Sequence, residues 1–209
     1  VLMRRGMVVN WDRGKSAAIV ALRGALSRAG RRELYIDFGG VLPLSGVGSS
    51  VHLERSYVHL GTEVNASGSM GPAVASRIRA HSQAMAPLRR CVCPQRAVSD
   101  AAKLIFVDSL ATSRLCHSVG AWDSLTSGQL ASLQAALSGG YRCAMSMPHR
   151  DPTCGRHTAA HVMASAGRFD FAHRLVFARL RLLASVLAHG PLSLLRVLDY
   201  LAVRGRGWP

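Results

Sequence analysis

The segment NASGSMGP, Asn65 to Pro72, divides the chain into two kinds of sequence, and a chain divided in this way has to mix strands and helices. Before it, short β-prone pieces alternate with glycine-rich turns: LYIDF, VLPL, SVHL and SYVHL lie between Glu33 and Val64, with SGVGSS among the turns. Strands of four or five residues bounded by Gly, Pro and Ser read as a small antiparallel sheet or hairpin. After it, apolar residues recur three and four apart, the period of a helix. The expected fold class is α+β, mainly α, with a small antiparallel β-hairpin or sheet region followed by a helical bundle. The expected divisions are 1–66, 67–147 and 148–209.

Local signals set the expected elements. Met7-Val8-Val9, ending at Asn10, reads as a strand that runs into a turn at WDRGK. A helix capped by Ser16 is expected next, with Ile19, Leu22, Leu26 and Ala29 on its inner face and Gly30 at its end. Pro72 suits the first turn of a helix that turns Val74, Ile78, Met85 and Leu88 inward and Arg77, Arg79 and Gln83 outward. Further helices are expected from about Val98 to Val119, capped by Ser99 or one of its neighbours, and from roughly Thr126 to Met145, the latter weakened by Gly139-Gly140. Three more follow: His157 to Ala166, Phe169 to Ala188, and a last one after Pro191.

Charge then limits the partners. Lys and Arg number 26 against 11 Asp and Glu, a formal charge of +15, and only Lys15 and Lys103 of the basic residues are not Arg. A surface so positive favours a polyanion, and the planar guanidinium fork fits phosphate with two parallel hydrogen bonds. Nucleic acid is the expected partner. No membrane span is expected, because the most hydrophobic stretch, starting at Leu175, is interrupted by Arg179 and Arg181. Five Cys, an odd number, fit free thiols in a reducing, intracellular compartment, nucleus or cytoplasm. Both ends read as cut from a longer chain.

Catalytic signals are sparse. Two-metal phosphoryl transfer requires converging carboxylates, and the 11 acids are scattered with no Asp-Asp pair. Gly14-Lys15-Ser16 lacks the earlier glycine of a phosphate-binding loop, whose place is taken by Val9. Asp37-Phe38-Gly39 has no accompanying kinase catalytic loop. Cys154, His157 and His161 could share a helix face, with Cys91 and Cys93 completing a zinc site, but the linear pattern fits no standard finger, so no metal and no cofactor are expected in this chain.

Three segments, in order, resemble the downstream half of a non-LTR retrotransposon reverse transcriptase. GMVVNWDRGKS, Gly6 to Ser16, is similar to the segment that follows the catalytic hairpin in that family. SYVHLGTEVNASGSMGPAVASRIRAH resembles the primer-grip hairpin followed by a helix with Arg-Ile at its centre; His59 replaces the usual Tyr, while Leu60 and Gly61 match. KLIFVDSLATSRLCHSVGAWDSLTSGQLASLQAALSGGYR looks like the thumb helices, and the stretch from Arg168 to Leu198 continues in the style of the helices beyond them.

The resemblance implies that 1–66 is a distal palm-like region, 67–147 a thumb-like domain and 148–209 a helical extension. It implies that Lys15 is a proton donor to the leaving pyrophosphate, and that Tyr57, His59, Leu60 and Gly61 face the primer. Arg13, Arg77, Arg79, Arg89 and Arg90 would contact the sugar-phosphate backbone. It further implies that the intact protein is an RNA-directed DNA polymerase using Mg held by an upstream polymerase region of the same protein, and that this chain alone is inactive. Two other readings stand beside it: a basic helical nucleic-acid-binding module in its own right, and a decayed retroelement reading frame with no activity.

Overall fold

A single glycine decides where the first helix begins. Gly24 takes a left-handed φ of +92°, a conformation that no right-handed helix contains and that L side chains adopt at a cost. The computed structural model describes residues 17–20, 22, 24–44, 49–59, 62–65, 69–122, 124–151 and 155–203. In it, Ala17–Ala18 form strand β1 and the first helix, α1, spans Ser27–Arg32. The helix expected from Ser16 is thereby corrected: Gly30 lies inside α1 rather than ending it, and Leu26 and Ala29 are exposed instead of forming an inner face. The strand expected at Met7 to Asn10, the turn after it and the Ser16 cap lie outside the described residues.

LYIDF is a second correction, since α1 runs directly into a wide π-type turn over Glu33–Asp37, where the Phe38 N–H donates to the Glu33 carbonyl at 2.9 Å. Once a helix has nucleated, each added residue gains a hydrogen bond, and this outweighs the weak, context-dependent strand preference of Tyr35 and Ile36. Gly39 and Gly40, both left-handed, then turn the chain into strand β2, Val41–Leu44. It pairs antiparallel with β3, Ser49–Leu53, in a register that sets Val41 opposite His52 and Leu44 opposite Ser49. β1 pairs with the other edge of β3 in parallel, so this three-stranded sheet is mixed. Val51 and Leu53, two residues apart, point to the same side and are buried. A separate antiparallel hairpin joins β4, Ser56–His59, to β5, Thr62–Asn65, with Tyr57 opposite Val64.

The chain divides into two compact units, Val1–Ser69 and Met70–Pro209, and the division falls inside the turn-rich segment Asn65 to Pro72. The second unit opens with α2, Gly71–Cys91, with Pro72 in its first turn and Val74, Met85 and Leu88 buried. Ser99 caps α3, Asp100–Phe106, accepting from the Ala102 N–H at 3.3 Å. A wide π-type turn, Val107–Thr112, and the short α4, Ser113–Leu115, continue the same helical run. That run stops before the expected Val119, because Ser118 adopts a left-handed φ of 58° and starts a single 3-10 turn, Val119–Ala121.

Thr126 and Gln129 form a reciprocal capping box at α5, Ser127–Ala144, with bonds of 3.2 and 2.9 Å. A two-strand ribbon, β6 (Arg150–Asp151) and β7 (Gly155–Arg156), leads to α6 (Ala159–Ser165), α7 (Phe171–His189) and α8 (Leu192–Val203). Thr158 and Asp170 cap α6 and α7 through their side chains.

One core holds this unit together. Met85, Leu115, Trp122, Leu133, Leu137, Tyr141, Val162 and Phe171 are fully buried in it, so the core runs across the expected division at 147/148. Gly139-Gly140 does not interrupt α5: a Cβ on Gly140 would stand 3.2 Å from the His81 Nε2, so the missing side chain is what lets α2 and α5 approach closely. The architecture is α+β, mainly α. Among the described residues, no helix is long and apolar enough to cross a membrane.

Candidate nucleic-acid interface

Between Glu63 and Asp100 the sequence contains no Asp or Glu, while it carries Arg77, Arg79, Arg89, Arg90 and Arg96. Most of this stretch is α2, so the helix presents cations with no carboxylate of its own to neutralise them. At about 100° per residue, Arg79 and Arg90 lie within roughly 20° of each other round the helix, and Arg89 is about 80° from Arg79. All three are exposed and, among the described residues, make no ion pair. Arg79 and Arg90 are about 16 Å apart along the axis at 1.5 Å per residue, the rise of about five phosphates on one strand of a duplex.

Arg77 does not join this row. It lies roughly 160° from Arg79 round the helix, and its Nη2 donates to His117 Nδ1 at 2.9 Å, while burial pushes its pKa down. Ser118 Oγ lies 2.9 Å from the same ring nitrogen. Arg77 therefore ties α2 to the turn after α4, and the expected row of four arginines reduces to three on the outer side.

The hairpin residues belong to the first unit. Tyr57 and Val58 are both exposed on β4, which leaves an aromatic face at the surface. His59 is placed in register opposite Thr62, whereas Leu60, Gly61, Arg13 and Lys15 lie outside the described residues.

A polar cluster that no linear motif marks lies in the second unit. Tyr141 on α5 donates its hydroxyl proton to Asp108 Oδ1, and Arg168 Nε donates to Asp108 Oδ2 at 2.8 Å. Arg174 Nη2 donates to the Tyr141 hydroxyl oxygen at 2.7 Å and stands 3.5 Å from Asp108 Oδ1. Burial and the Asp108 carboxylate push the Tyr141 phenol well above its ordinary range, so it stays protonated and acts as a donor. The wide turn Val107–Thr112 carries the aspartate, and its partners Tyr141, Arg168 and Arg174 lie 33, 60 and 66 positions further along the chain, too far for sequence spacing to signal them. The cluster clamps the start of α7 onto α5, and its two guanidinium groups are held internally.

Trp122 and Tyr141, two aromatics of the second unit, are core residues, 1% and 0% exposed. Arg142, next to Tyr141, donates to the His157 carbonyl at 2.9 Å and lies 3.1 Å from His149 Nδ1, fastening the β6–β7 ribbon to α5. His157 and His161 stack with centroids 4.9 Å apart, and Cys154 lies outside the described residues. Among the described residues, no three His, Cys, Asp or Glu are grouped to hold a metal ion.

His81 is a buried residue that the amphipathic pattern did not mark. It is 2% exposed, and burial together with the nearby Arg89 charge pushes its pKa down to about 4. Its ring is neutral near neutral pH, so it adds no charge to the outer face. Compared with known protein families, curated proteins and solved structures, the chain finds no match.

Proposed function

We propose that this chain is the nucleic-acid-holding part of an RNA-directed DNA polymerase of the non-LTR retrotransposon type, and that α2 supplies its backbone contacts. One observation carries the reading: an acid-free stretch of 36 residues, 64–99, presents Arg79, Arg89 and Arg90 at the surface of one helix. Arg79 and Arg90 follow one strand of the duplex, and Arg89 reaches the side of the same groove. Contacts of this type fix register and orientation without reading sequence.

Tyr57 on the β4–β5 hairpin offers a stacking face for a terminal base, a contact worth about 1–3 kcal/mol that is indifferent to base identity. Lys15 is proposed as the proton donor to pyrophosphate. The Mg ions and the carboxylates that bind them belong, on this reading, to an upstream polymerase region of the same protein, and the partner places the protein inside the cell. The chain alone binds and does not polymerise.

The test is a fluorescence anisotropy titration of the 209-residue chain with a labelled RNA–DNA hybrid carrying a recessed primer end, set against a blunt hybrid of the same length. Tighter binding to the recessed end, lost in Tyr57→Ala, is the expected result. Equal affinity for both ends, unchanged in that variant, favours the second reading, a stand-alone helical module that grips the backbone alone. The observation that favours this second reading is the internal use of Arg77, which takes one of the four expected cations off the outer side of α2.

A further inference from the structure

The N-terminal half of α7 is built into the core, where Phe171 is fully buried and Leu175 and Ala178 pack against it. Its outer side is apolar as well. Val176, Leu180, Leu183 and Leu187 are spaced four, three and four apart and are 55%, 55%, 36% and 61% exposed. Phe177 and Phe169, with ring centroids 5.6 Å apart, widen the stripe at its start. Alternating steps of four and three keep side chains on one line, which is the seam by which two helices pack knobs into holes. A contiguous exposed stripe of this kind marks an interaction surface.

Charge identifies the occupant. α7 contains no Asp or Glu, and Arg179 and Arg181 lie about 100° to either side of Leu180 round the helix. Arg179 is engaged internally, donating to the Trp122 carbonyl at 3.2 Å, so the exposed Arg181 is the flanking cation that a partner can meet. A second copy would set arginines against arginines, and each chain carries a formal +15. A helix with apolar residues at the same spacing and Asp or Glu on its flanks satisfies both the stripe and the border. We propose that the outer face of α7 docks an acidic amphipathic helix of a partner protein. This surface is independent of the arginine row on α2.

The probe is a fluorescently labelled 21-residue synthetic helix with Leu at the seam positions and Glu on both flanks, titrated with the full chain at low salt. Saturable binding is expected, at least tenfold weaker for the double variant Leu180→Ser/Leu187→Ser and several-fold weaker for Arg181→Glu. The melting temperatures of both variants should stay unchanged, since the altered side chains are exposed. A peptide with Lys replacing Glu should bind at least tenfold more weakly.

The triple variant Arg79→Ala/Arg89→Ala/Arg90→Ala should keep peptide binding, which separates this surface from the nucleic-acid reading. No binding of the Glu-flanked peptide, equal binding of the Lys-flanked one, or loss of binding in the triple variant would each overturn the proposal. So would a dimer in sedimentation equilibrium that dissociates in the double variant, which would assign the stripe to a second copy. Binding to phosphatidylserine vesicles that is lost in the double variant would assign it to a lipid surface, with the same effect.

Discussion

His81 shows how a single titratable residue can be confined by packing. Its Nε2 has no hydrogen-bond partner among the described residues and faces Gly140, and its pKa is about 4 against an ordinary 6.5. Because the folded pKa lies below the unfolded one, the contribution to stability is complete above about 6.5 and is lost as pH falls towards 4. The melting temperature of the chain is expected to drop between pH 7.5 and pH 5, and His81→Leu should flatten that part of the profile; an equally steep profile in the variant would contradict this account. The Asp108 cluster makes a second prediction at this scale. Tyr141→Phe leaves Arg174 and Asp108 to pair directly and should cost about 1–2 kcal/mol in urea unfolding, whereas Asp108→Ala leaves two guanidinium groups facing each other and should cost more.

At the scale of elements, the helices of the second unit are legible because their start signals are chemical. Ser99, Thr126 with Gln129, and Pro72 each sit at the helix start that their side chains favour. The first unit is less legible. Ala17-Ala18 and the residues after it carry a helical spacing that loses to a parallel strand pairing with β3 and to the left-handed Gly24. LYIDF loses its strand preference to a helix arriving from upstream.

Outward-facing arginines on α2 were expected from periodicity, but the internal use of Arg77 depends on His117, 40 residues away, which no pattern on one helix contains. Close helix crossings are similarly invisible until the elements are packed. A Cβ on Gly120 would meet the Ala178 carbonyl oxygen at 2.7 Å, where α7 crosses the 3-10 turn. Gly120→Ala is therefore expected to lose about 1–3 kcal/mol by overpacking, read as a lower urea midpoint with little change in slope. An unchanged midpoint would show that the crossing can open without cost.

For the whole molecule, the distribution of charge matters more than its total. Arg168 and Arg174 are held by Asp108, Arg142 by the ribbon, and Arg77 by His117, so part of the basic character serves internal structure. What remains outward on α2 is a short row in a stretch without acids, and the central claim is that this row grips a polyanionic duplex. The most direct measurement is the salt dependence of binding to an RNA–DNA hybrid, comparing the chain with Arg79→Ala/Arg89→Ala/Arg90→Ala. Each lost phosphate contact should remove about 0.9 from the slope of log affinity against log salt, so the account predicts a slope shallower by about 2–3 in the triple variant. An unchanged slope would contradict it.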